Sequence, residues 1–362
     1  MESNTHIIKY WNTQPEVLKK MLKDSQKLTE EFVKLYLEIK PTNIYLVGSG
    51  TSLNAEESAA AFMEEILAVD VHTMPSSYLH MIRGERPLII FVSQGGSSTN
   101  TLKAMEQMKD YPFITVTGEA ECEIASRSSH HMTIGCGEEP VGPKTVGYTA
   151  SVMVLYLMTL EAGKAAKILT DNYYKEIKDT LYQGLDYMRE NMDTALEWIE
   201  KHKNELSEIK KYIFVGHGTT ATALKEGCLK ILETVKYPAF SYEFEEYLHG
   251  PILAVDASTG GFLFLSEETE ERERLEQLAG YQKKYSKYTY LITDQKIENA
   301  DEEESDILRI HKTGASYTEV FEIIVIPQLM AAMIQGYLEI PDGSPLYDEY
   351  TVVCPTKYKN GK

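Results

Sequence analysis

Residues 43–54 read NIYLVGSGTSLN and residues 211–222 read KYIFVGHGTTAT. Each stretch is an apolar run followed by Gly-x-Gly, two hydroxyl residues and the start of a helical pattern. The two copies lie about 170 residues apart, which is a typical domain length. The repeat therefore predicts two related α/β domains rather than one large domain.

Each copy continues as short apolar runs separated by segments of helix length. The runs cover residues 44–47, 87–93, 112–118 and 131–136 in the first half, and 212–216, 261–266, 288–293 and 307–311 in the second. Continuous apolar runs of this length indicate parallel strands that are buried on both faces. We expect two parallel sheets, each flanked by helices in a three-layer, flavodoxin-like α/β sandwich.

Composition and charge exclude several classes of protein. The chain has 362 residues, of which 43% are hydrophobic, and a formal net charge of −19. Such a composition is typical of soluble globular proteins, and the negative charge disfavours nucleic acid or an anionic membrane as a partner. A small anionic substrate remains possible, because a helix N-terminus binds phosphate through backbone N–H groups without a net positive charge.

The four cysteines are scattered without any CxxC pair, at Cys122, Cys136, Cys228 and Cys354. This pattern indicates free thiols in a reducing compartment and disfavours a zinc site. Residues 1–40 are polar and charged, unlike a signal peptide or a membrane-spanning helix. We therefore expect a cytoplasmic protein with no metal and no cofactor.

Two loops of the first half carry glycine and hydroxyl residues between a strand and a helix. The first contains Ser49, Gly50, Thr51 and Ser52, and the second runs Ser93-Gln94-Gly95-Gly96-Ser97-Ser98-Thr99. Neighbouring strands of a parallel sheet bring such loops together at their carboxyl ends, where these folds bind ligands. Either loop alone is also explained as an ordinary turn with a helix cap.

The second half offers an internal comparison for the two loops. Its strand GFLFLS is followed by EETEERERLE, whose carboxylates would repel a phosphate. Because the serine-rich version occurs only in the first half, we expect the phosphate site there.

Residues 224–251, LKEGCLKILETVKYPAFSYEFEEYLHGP, hold candidates for acid–base chemistry. Lys230 and Glu233 are three residues apart on a predicted helix and therefore share a face. His249 precedes Gly250-Pro251, a sharp turn. From the residues alone, a solvated helix position is the more usual explanation of Glu233, and a surface or capping residue that of His249, so both remain candidates only.

At this point four ordered motifs resemble a known family. VGSGTSLNAE, FVSQGGSSTNTLKA, GHGTTATALKEGCLKILE and YLHGP are similar to segments of the sugar-isomerase (SIS) domain proteins. The resemblance covers roughly residues 40–350 and is strongest to the isomerase half of glucosamine-6-phosphate synthase and to the fructosamine-6-phosphate deglycases. It implies two tandem SIS domains.

The resemblance also implies roles for individual residues. A sugar phosphate would be held by the loop residues Ser49, Gly50, Thr51, Ser52, Ser93, Gln94, Gly95 and Ser98, with Thr145 and Tyr350 as further contacts. Glu233 would move a proton between sugar carbons 1 and 2, with Lys230 in the same helix. His249 would assist opening of the sugar ring, in the family usually from the neighbouring subunit.

The sequence departs from the family pattern at three places. Gly95 stands where the usual SQSG loop has a serine, which removes one hydroxyl donor. Tyr350 occupies the position of a lysine in the synthase tail, and the arginine-rich tail of the deglycases is not reproduced by residues 346–349. The chain has no room for the glutaminase domain of the synthases, so we expect no use of glutamine as an ammonia source.

Three functions follow from the resemblance. The leading one is a deglycase that converts a ketoamine 6-phosphate into glucose 6-phosphate and free amine. A related alternative is an isomerase or deaminase that acts on an amino-sugar phosphate. An alternative of another class is a non-catalytic sugar-phosphate sensor, which the presence of Glu233 and His249 at the catalytic positions disfavours.

The expected organisation has five segments and a partner. A histidine supplied by a neighbouring subunit would make a homodimer or larger assembly necessary. The segments are a helical lead-in at 1–40, SIS domain 1 at 41–165, connecting helices at 166–208, SIS domain 2 at 209–340, and a C-terminal tail over the active site at 341–362.

Overall fold

The computed structural model describes residues 5–265, 269–297 and 306–358. The chain divides into two compact units. We name Glu16–Asp179 with Gly343–Lys362 the first unit, and Met1–Pro15 with Thr180–Asp342 the second unit.

The first sheet contains five parallel strands in the order β2-β1-β3-β4-β5. Three helices precede it, three alternate with its strands, and one follows its last strand. In chain order these elements are α1 Thr5–Lys23, α2 Ser25–Leu28, α3 Glu30–Ile39, β1 Asn43–Gly48, α4 Thr51–Leu67, β2 Asp70–Pro75, β3 Pro87–Ser93, α5 Thr99–Gln107, β4 Phe113–Thr117, α6 Glu123–Ser126, β5 His131–Thr133 and α7 Val146–Ala165.

The second sheet repeats this topology with the order β10-β9-β8-β6-β7. Strand by strand it corresponds to the first sheet, since the first two strands of each are neighbours and the third lies on the other side of the first. Its elements are α8 Asp171–Lys201, α9 Lys203–Glu208, β6 Lys211–Gly216, α10 Gly218–Thr234, β7 Ala239–Glu243, α11 Phe244–Leu248, a 3-10 turn Pro251–Ala254, β8 Thr259–Phe264, α12 Thr269–Gln282, β9 Thr289–Thr293, β10 Ile307–Arg309 and α13 Ser316–Tyr337, and α14 Pro345–Val353 follows.

The expected fold class is confirmed, including the flavodoxin-like strand order. All eight apolar runs fall on strands, although Ser266 at the end of one run lies outside the described residues. The sequence analysis missed β2 and β7. Both are edge strands that pair on one side only and expose part of their side chains, so they lack the continuous apolar run of a central strand.

Both sheets bury apolar residues on each face, because alternate side chains of a strand point to opposite sides. In the first unit Tyr45, Val47, Ile89 and Phe91 pack against one cluster that includes α5 residues. Gly48 faces the other side, where α4 lies. The second unit has an equivalent cluster around Ile213, Val215 and Leu263, with α10 and α13 packed together.

Two helices of the described chain are long and apolar enough to cross a membrane by length and composition, namely Val146–Ala165 and Ser316–Tyr337. Their apolar windows are 100% and 89% buried inside the protein. A helix that is apolar all round is expected in such an interior position. Core packing therefore accounts for both helices.

The contact between α10 and α13 generates a prediction about packing. A methyl group on Gly227 would come within 2.8 Å of Pro327. We expect Gly227→Ala to destabilise the second unit by about 1–3 kcal/mol, because overpacking forces the two helices apart. The midpoint of urea unfolding, followed by circular dichroism, measures the effect.

Gly280 provides the matched control. It lies on α12 with no atom within 4 Å of an added methyl group. Gly280→Ala should therefore stabilise the helix by about 0.5–1 kcal/mol, since alanine loses less backbone entropy. Equal effects of the two substitutions would contradict the packing account.

Candidate functional site

The loops after β1 and β3 lie at the carboxyl ends of two neighbouring strands, at the position in the first sheet where the strand order reverses. In this topology, ligands bind outside the carboxyl ends of the two strands that flank the reversal. The side-chain amide of Asn100, in the first turn of α5 directly after the second loop, donates a hydrogen bond of 2.7 Å to the Ser49 hydroxyl and so joins the first loop to the end of the second. The structure thus brings together the two loop segments that the sequence nominated for phosphate.

The β1–α4 turn depends on the backbone freedom of Gly50. Its φ of +58° lies in the left-handed region that favours glycine. Ser52 N donates to Ser49 O at 3.2 Å and Asn54 N to Gly50 O at 3.0 Å, so α4 begins directly after the turn. Thr51 and Ser52 consequently lie in the first turn of a 17-residue helix, at the positive end of its dipole.

The β3–α5 loop contains two glycines with different surroundings. Gly96 has φ +60°, and a methyl group there would overlap the Cys122 sulfur. Gly95 is exposed, has no positive φ, and has no atom within 4 Å of the position of an added methyl group. A serine would therefore fit at Gly95, whereas Gly96 is required by the fold.

The side chains of Gln94 and Thr145 contact other residues inside the first unit. Gln94 packs against Gly147 at the start of α7. Glu139, which is 4% exposed, accepts hydrogen bonds from Thr145 N at 2.7 Å, Thr145 Oγ1 at 2.8 Å and Gly147 N at 2.8 Å. An internal carboxylate thus occupies the N-terminus of α7, and the Thr145 hydroxyl is committed to it.

A buried acid lies beside the β1–α4 turn. Glu56 on α4 is 0% exposed, and its carboxyl group packs against Gly48 at the end of β1. Burial, and to a smaller extent the neighbouring charge of Glu57, raises the pKa of Glu56 well above its ordinary value. The shift works against a negative charge beside the loop that the sequence nominated for phosphate.

The C-terminal segment pairs with the β3–α5 loop within the first unit. Tyr358 N donates to Ser97 O at 2.7 Å, Thr99 N donates to Thr356 O at 3.1 Å, and Ser98 forms an antiparallel bridge with Lys357. Tyr350 is 39% exposed on α14, where its ring packs edge-on against Tyr347. The backbone of the tail therefore holds the second loop.

In the second unit, Lys230 lies between two glutamates of the same helix. Its Nζ is 3.0 Å from Glu226 Oε1 and 2.6 Å from Glu233 Oε2. Lys230 is 1% exposed and Glu226 is 0% exposed, whereas the Glu233 side chain is 37% exposed. The helix thus carries one buried ion pair and one carboxylate that solvent reaches.

The charge of this lysine is maintained by its partners. Burial alone would lower the pKa of Lys230, but the two carboxylates outweigh burial and the pKa is raised. The ammonium therefore stays protonated at neutral pH and presents a fixed positive charge to the exposed carboxylate of Glu233.

His249 is the C-cap of α11 and precedes the turn at Gly250, whose φ is +139°. Its backbone N donates to Glu246 O at 3.2 Å, and Leu253 N donates to Gly250 O at 2.9 Å. The turn thus fixes the histidine backbone between α11 and the following 3-10 turn.

The loop of the second unit that corresponds to the β1–α4 turn is occupied by the protein itself. Thr219 and Thr220 donate to Glu319 Oε2 at 2.8 and 3.0 Å, and Lys312 Nζ is 2.8 Å from Glu319 Oε1. These threonines are the repeat equivalents of Thr51 and Ser52. A carboxylate therefore takes the position that a phosphate would need in the second unit. The acidic stretch after strand GFLFLS, which the sequence analysis noted, also disfavours phosphate there.

Sequence reasoning missed four of these acidic groups. Glu226 could have been found, since it lies four residues before Lys230, the spacing of a helical ion pair. Glu56, Glu139 and Glu319 carry no such signal, because none of their contacts has the three- or four-residue spacing of a helical pair. Only the three-dimensional structure shows what their carboxyl groups contact.

Metal binding has no candidate cluster in residues 5–265, 269–297 and 306–358. Nowhere in these ranges do three His, Cys, Asp or Glu side chains come together in a way that could hold an ion.

Comparison with known proteins places the first sheet in a family. Residues 39–161 match the SIS domain model. The chain is 24% identical over 349 residues to the isomerizing glutamine–fructose-6-phosphate aminotransferase of Fusobacterium nucleatum, covering 91% of this chain and 56% of that protein. It is also 27% identical over 249 residues to the enzyme of the same name from Methanocaldococcus jannaschii, covering 67% and 22%. The chain spans about half the length of several of the curated aminotransferases that it matches.

Solved structures match nearly the whole chain. A proposed phosphosugar isomerase from Clostridium difficile 630 superposes with a TM-score of 0.88 at 25% identity, covering 98% of this chain and 99% of that one. The C-terminal domain of glucosamine-fructose-6-phosphate aminotransferase from Francisella tularensis has a TM-score of 0.77 at 21% identity, covering 91% and 96%, and shares the fold. The protein therefore contains a SIS domain over residues 39–161.

Proposed function

We propose that this protein is an enzyme that transfers a proton between carbons 1 and 2 of an open-chain sugar phosphate, and that its substrate is a ketoamine 6-phosphate. Glu233 takes the proton from carbon 1, and a proton returns to carbon 2. The ketoamine thereby becomes an imine at carbon 1. Water hydrolyses this imine, so that ketoamine 6-phosphate and water give glucose 6-phosphate and free amine.

The proposal assigns the phosphate to the first unit. Thr51 and Ser52 place hydroxyl groups in the first turn of α4, at the positive end of the helix dipole, and Ser49 is linked to the neighbouring loop. Such neutral donors bind phosphate even in a chain with net charge −19. The equivalent threonines of the second unit contact Glu319 instead, which supports one phosphate site in each chain.

The observation that carries the catalytic part is the buried Lys230 between Glu226 and Glu233. An ion pair that is removed from water costs desolvation energy, so a buried lysine beside a solvent-accessible carboxylate is better explained by chemistry than by stability. Glu233 has the exposure that a base needs to reach a substrate. Lys230 supplies a positive charge next to it.

The role of His249 rests on the resemblance of its HGP turn to the family motif. Imidazole can give and accept a proton near neutral pH, which suits opening of the sugar ring. If the histidine serves a neighbouring subunit, as the resemblance implies, the active form is a homodimer or larger. The composition of the chain supports a cytoplasmic location.

A second candidate is an isomerase of an amino-sugar phosphate. It is favoured by the curated relatives, whose names describe an isomerizing aminotransferase. The same proton transfer would then end at the isomerised sugar phosphate without loss of an amine. Glu233 and His249 keep their roles in both candidates, so product analysis separates them.

The proposed function is tested by identifying the product. Purified protein is offered fructosamine 6-phosphates of several amino acids and, separately, glucosamine 6-phosphate and fructose 6-phosphate. We expect glucose 6-phosphate from at least one fructosamine 6-phosphate, measured with a coupled dehydrogenase. Turnover of glucosamine 6-phosphate alone would establish the isomerase or deaminase instead, and binding without turnover of any compound would establish a sensor.

The base is tested by Glu233→Gln. We expect proton exchange at carbon 1, followed by NMR in D₂O, to fall by about 10²–10⁴-fold, the range that general-base catalysis contributes. Affinity for the sugar phosphate should remain within about twofold, since the phosphate loops are unchanged. Glu197→Gln on α8 is the control, because Glu197 is an exposed helical glutamate far from this pair in sequence. Normal exchange in Glu233→Gln would refute the assignment.

The phosphate loop is tested by Gly95→Ser. The open space at Gly95 accommodates the side chain, and one added hydroxyl donor to a charged phosphate is worth about 1.5 kcal/mol. We expect sugar-phosphate affinity, measured by calorimetry, to rise by about tenfold. Gly96→Ser is the control and should impair folding, because of its φ of +60° and the Cys122 sulfur. Unchanged affinity in Gly95→Ser would argue that the phosphate lies elsewhere.

A further inference from the structure

His217 lies between two carboxylates at the carboxyl end of β6. Its Nδ1 is 3.0 Å from Glu243 Oε1 and its Nε2 is 3.3 Å from Glu271 Oε2. Glu243 ends β7 and Glu271 belongs to α12, so one imidazole joins three elements of the second unit. His217 has no role in the proton transfer and the ring opening proposed above.

Glu243 links His217 to α11. Its second oxygen, Oε2, accepts from Glu245 N at 2.7 Å and from Glu246 N at 3.2 Å, and so caps the helix. Glu246 O in turn accepts from His249 N at 3.2 Å. A continuous chain of hydrogen bonds therefore runs from the His217 ring to the backbone of His249.

A second contact holds the same short helix from α12. Arg274 pairs with Glu245, with Nη2 3.3 Å from Oε2, and its guanidinium lies 5.1 Å from the centre of the Phe244 ring. A helix of five residues is too short to be stable without such contacts. Its geometry, and with it the location of His249, depends on the side chains that cap and clamp it.

We propose that His217 is a positioning residue for His249: it holds the Glu243 carboxylate that caps α11, and α11 ends at the histidine that opens the sugar ring. This inference rests on the proposed role of His249. His217 touches no reacting atom itself, so its loss should slow the ring-opening step and leave phosphate binding intact.

The charged groups around His217 predict that the capping of α11 by Glu243 depends on pH. Glu243 and Glu271 face the ring directly, Arg274 and Glu245 lie beside the capped helix, and the Lys312–Glu319 pair contacts the neighbouring Thr219 and Thr220. Partial burial would raise the pKa of Glu243, but the His217 contact and the capping N–H groups outweigh it and the pKa is lowered. The cap is therefore complete above the ordinary carboxyl range and is lost as pH falls through the lowered pKa.

The experiment compares His217→Ala, His217→Gln and the control His311→Ala. His311 is also paired with a glutamate, Glu190, at 3.5 Å in the same unit. Two substrates are used: a fructosamine 6-phosphate, which closes into a ring through its carbon-5 hydroxyl, and its 5-deoxy counterpart, which cannot. Hydrogen exchange of the amides of residues 244–250 is measured on the same proteins.

In His217→Ala we expect carbon-1 exchange on the cyclising substrate to fall by about 10- to 100-fold, since small misplacement of a catalytic group has effects of this size. The 5-deoxy substrate should be processed within about twofold of the wild-type rate, and the amides of residues 244–250 should exchange faster. His217→Gln keeps a donor for Glu243 and should restore most of the rate. The acid limb of the pH profile should move to higher pH in His217→Ala, because Glu243 loses a group that lowers its pKa.

Equal losses on both substrates, unchanged amide exchange in 244–250, or the same effects in His311→Ala would overturn the inference. His249→Ala separates it from the proposed function. If His249→Ala loses only the cyclising substrate while His217→Ala behaves as wild type, the role of His249 stands and the inference fails. If His249→Ala shows no preference between the substrates, the proposed role of His249 fails, and the inference with it.

Discussion

The parallel direction of the strands decides where chemistry can occur in this protein. When all strands of a sheet run the same way, their carboxyl ends and the N-termini of the following helices meet at one edge. In both units that edge carries N–H groups without partners in their own helices, and something must satisfy them. We attribute the hydroxyl residues and the short loops after β1, β3 and β6 to this single constraint.

The helices of the two sheets meet this constraint in two ways. The second unit places its own Glu319, with Lys312, on the threonines of α10, and α7 of the first unit takes Glu139 in the same manner. Helix dipoles favour such anions, so internal carboxylates stabilise the fold while they close a position to ligands. In the turn before α4, by contrast, Thr51 and Ser52 follow Gly50 at the carboxyl end of β1, and burial raises the pKa of the nearby Glu56.

Much of the fold could be predicted from the sequence, because central strands of a parallel sheet leave an unbroken apolar run and the repeat marks both domains. The edge strands β2 and β7 escaped detection, since pairing on one side only relaxes the need for apolar residues. Candidate loop residues could be named from glycine and hydroxyl spacing. The engagement of Thr145 with Glu139 and the link from His217 through Glu243 to His249 depend on contacts between elements, which no local pattern records.

Phosphate recognition and proton transfer are assigned to segments that fold in different compact units. In the proposed function, glycine and hydroxyl residues at the carboxyl end of the first sheet bind the phosphate, and one face of α10 transfers the proton. Substitutions in one set need not disturb the folding of the other. Under the proposed function, a substitution on α10 can therefore change the reaction while the phosphate contacts of the first unit are retained.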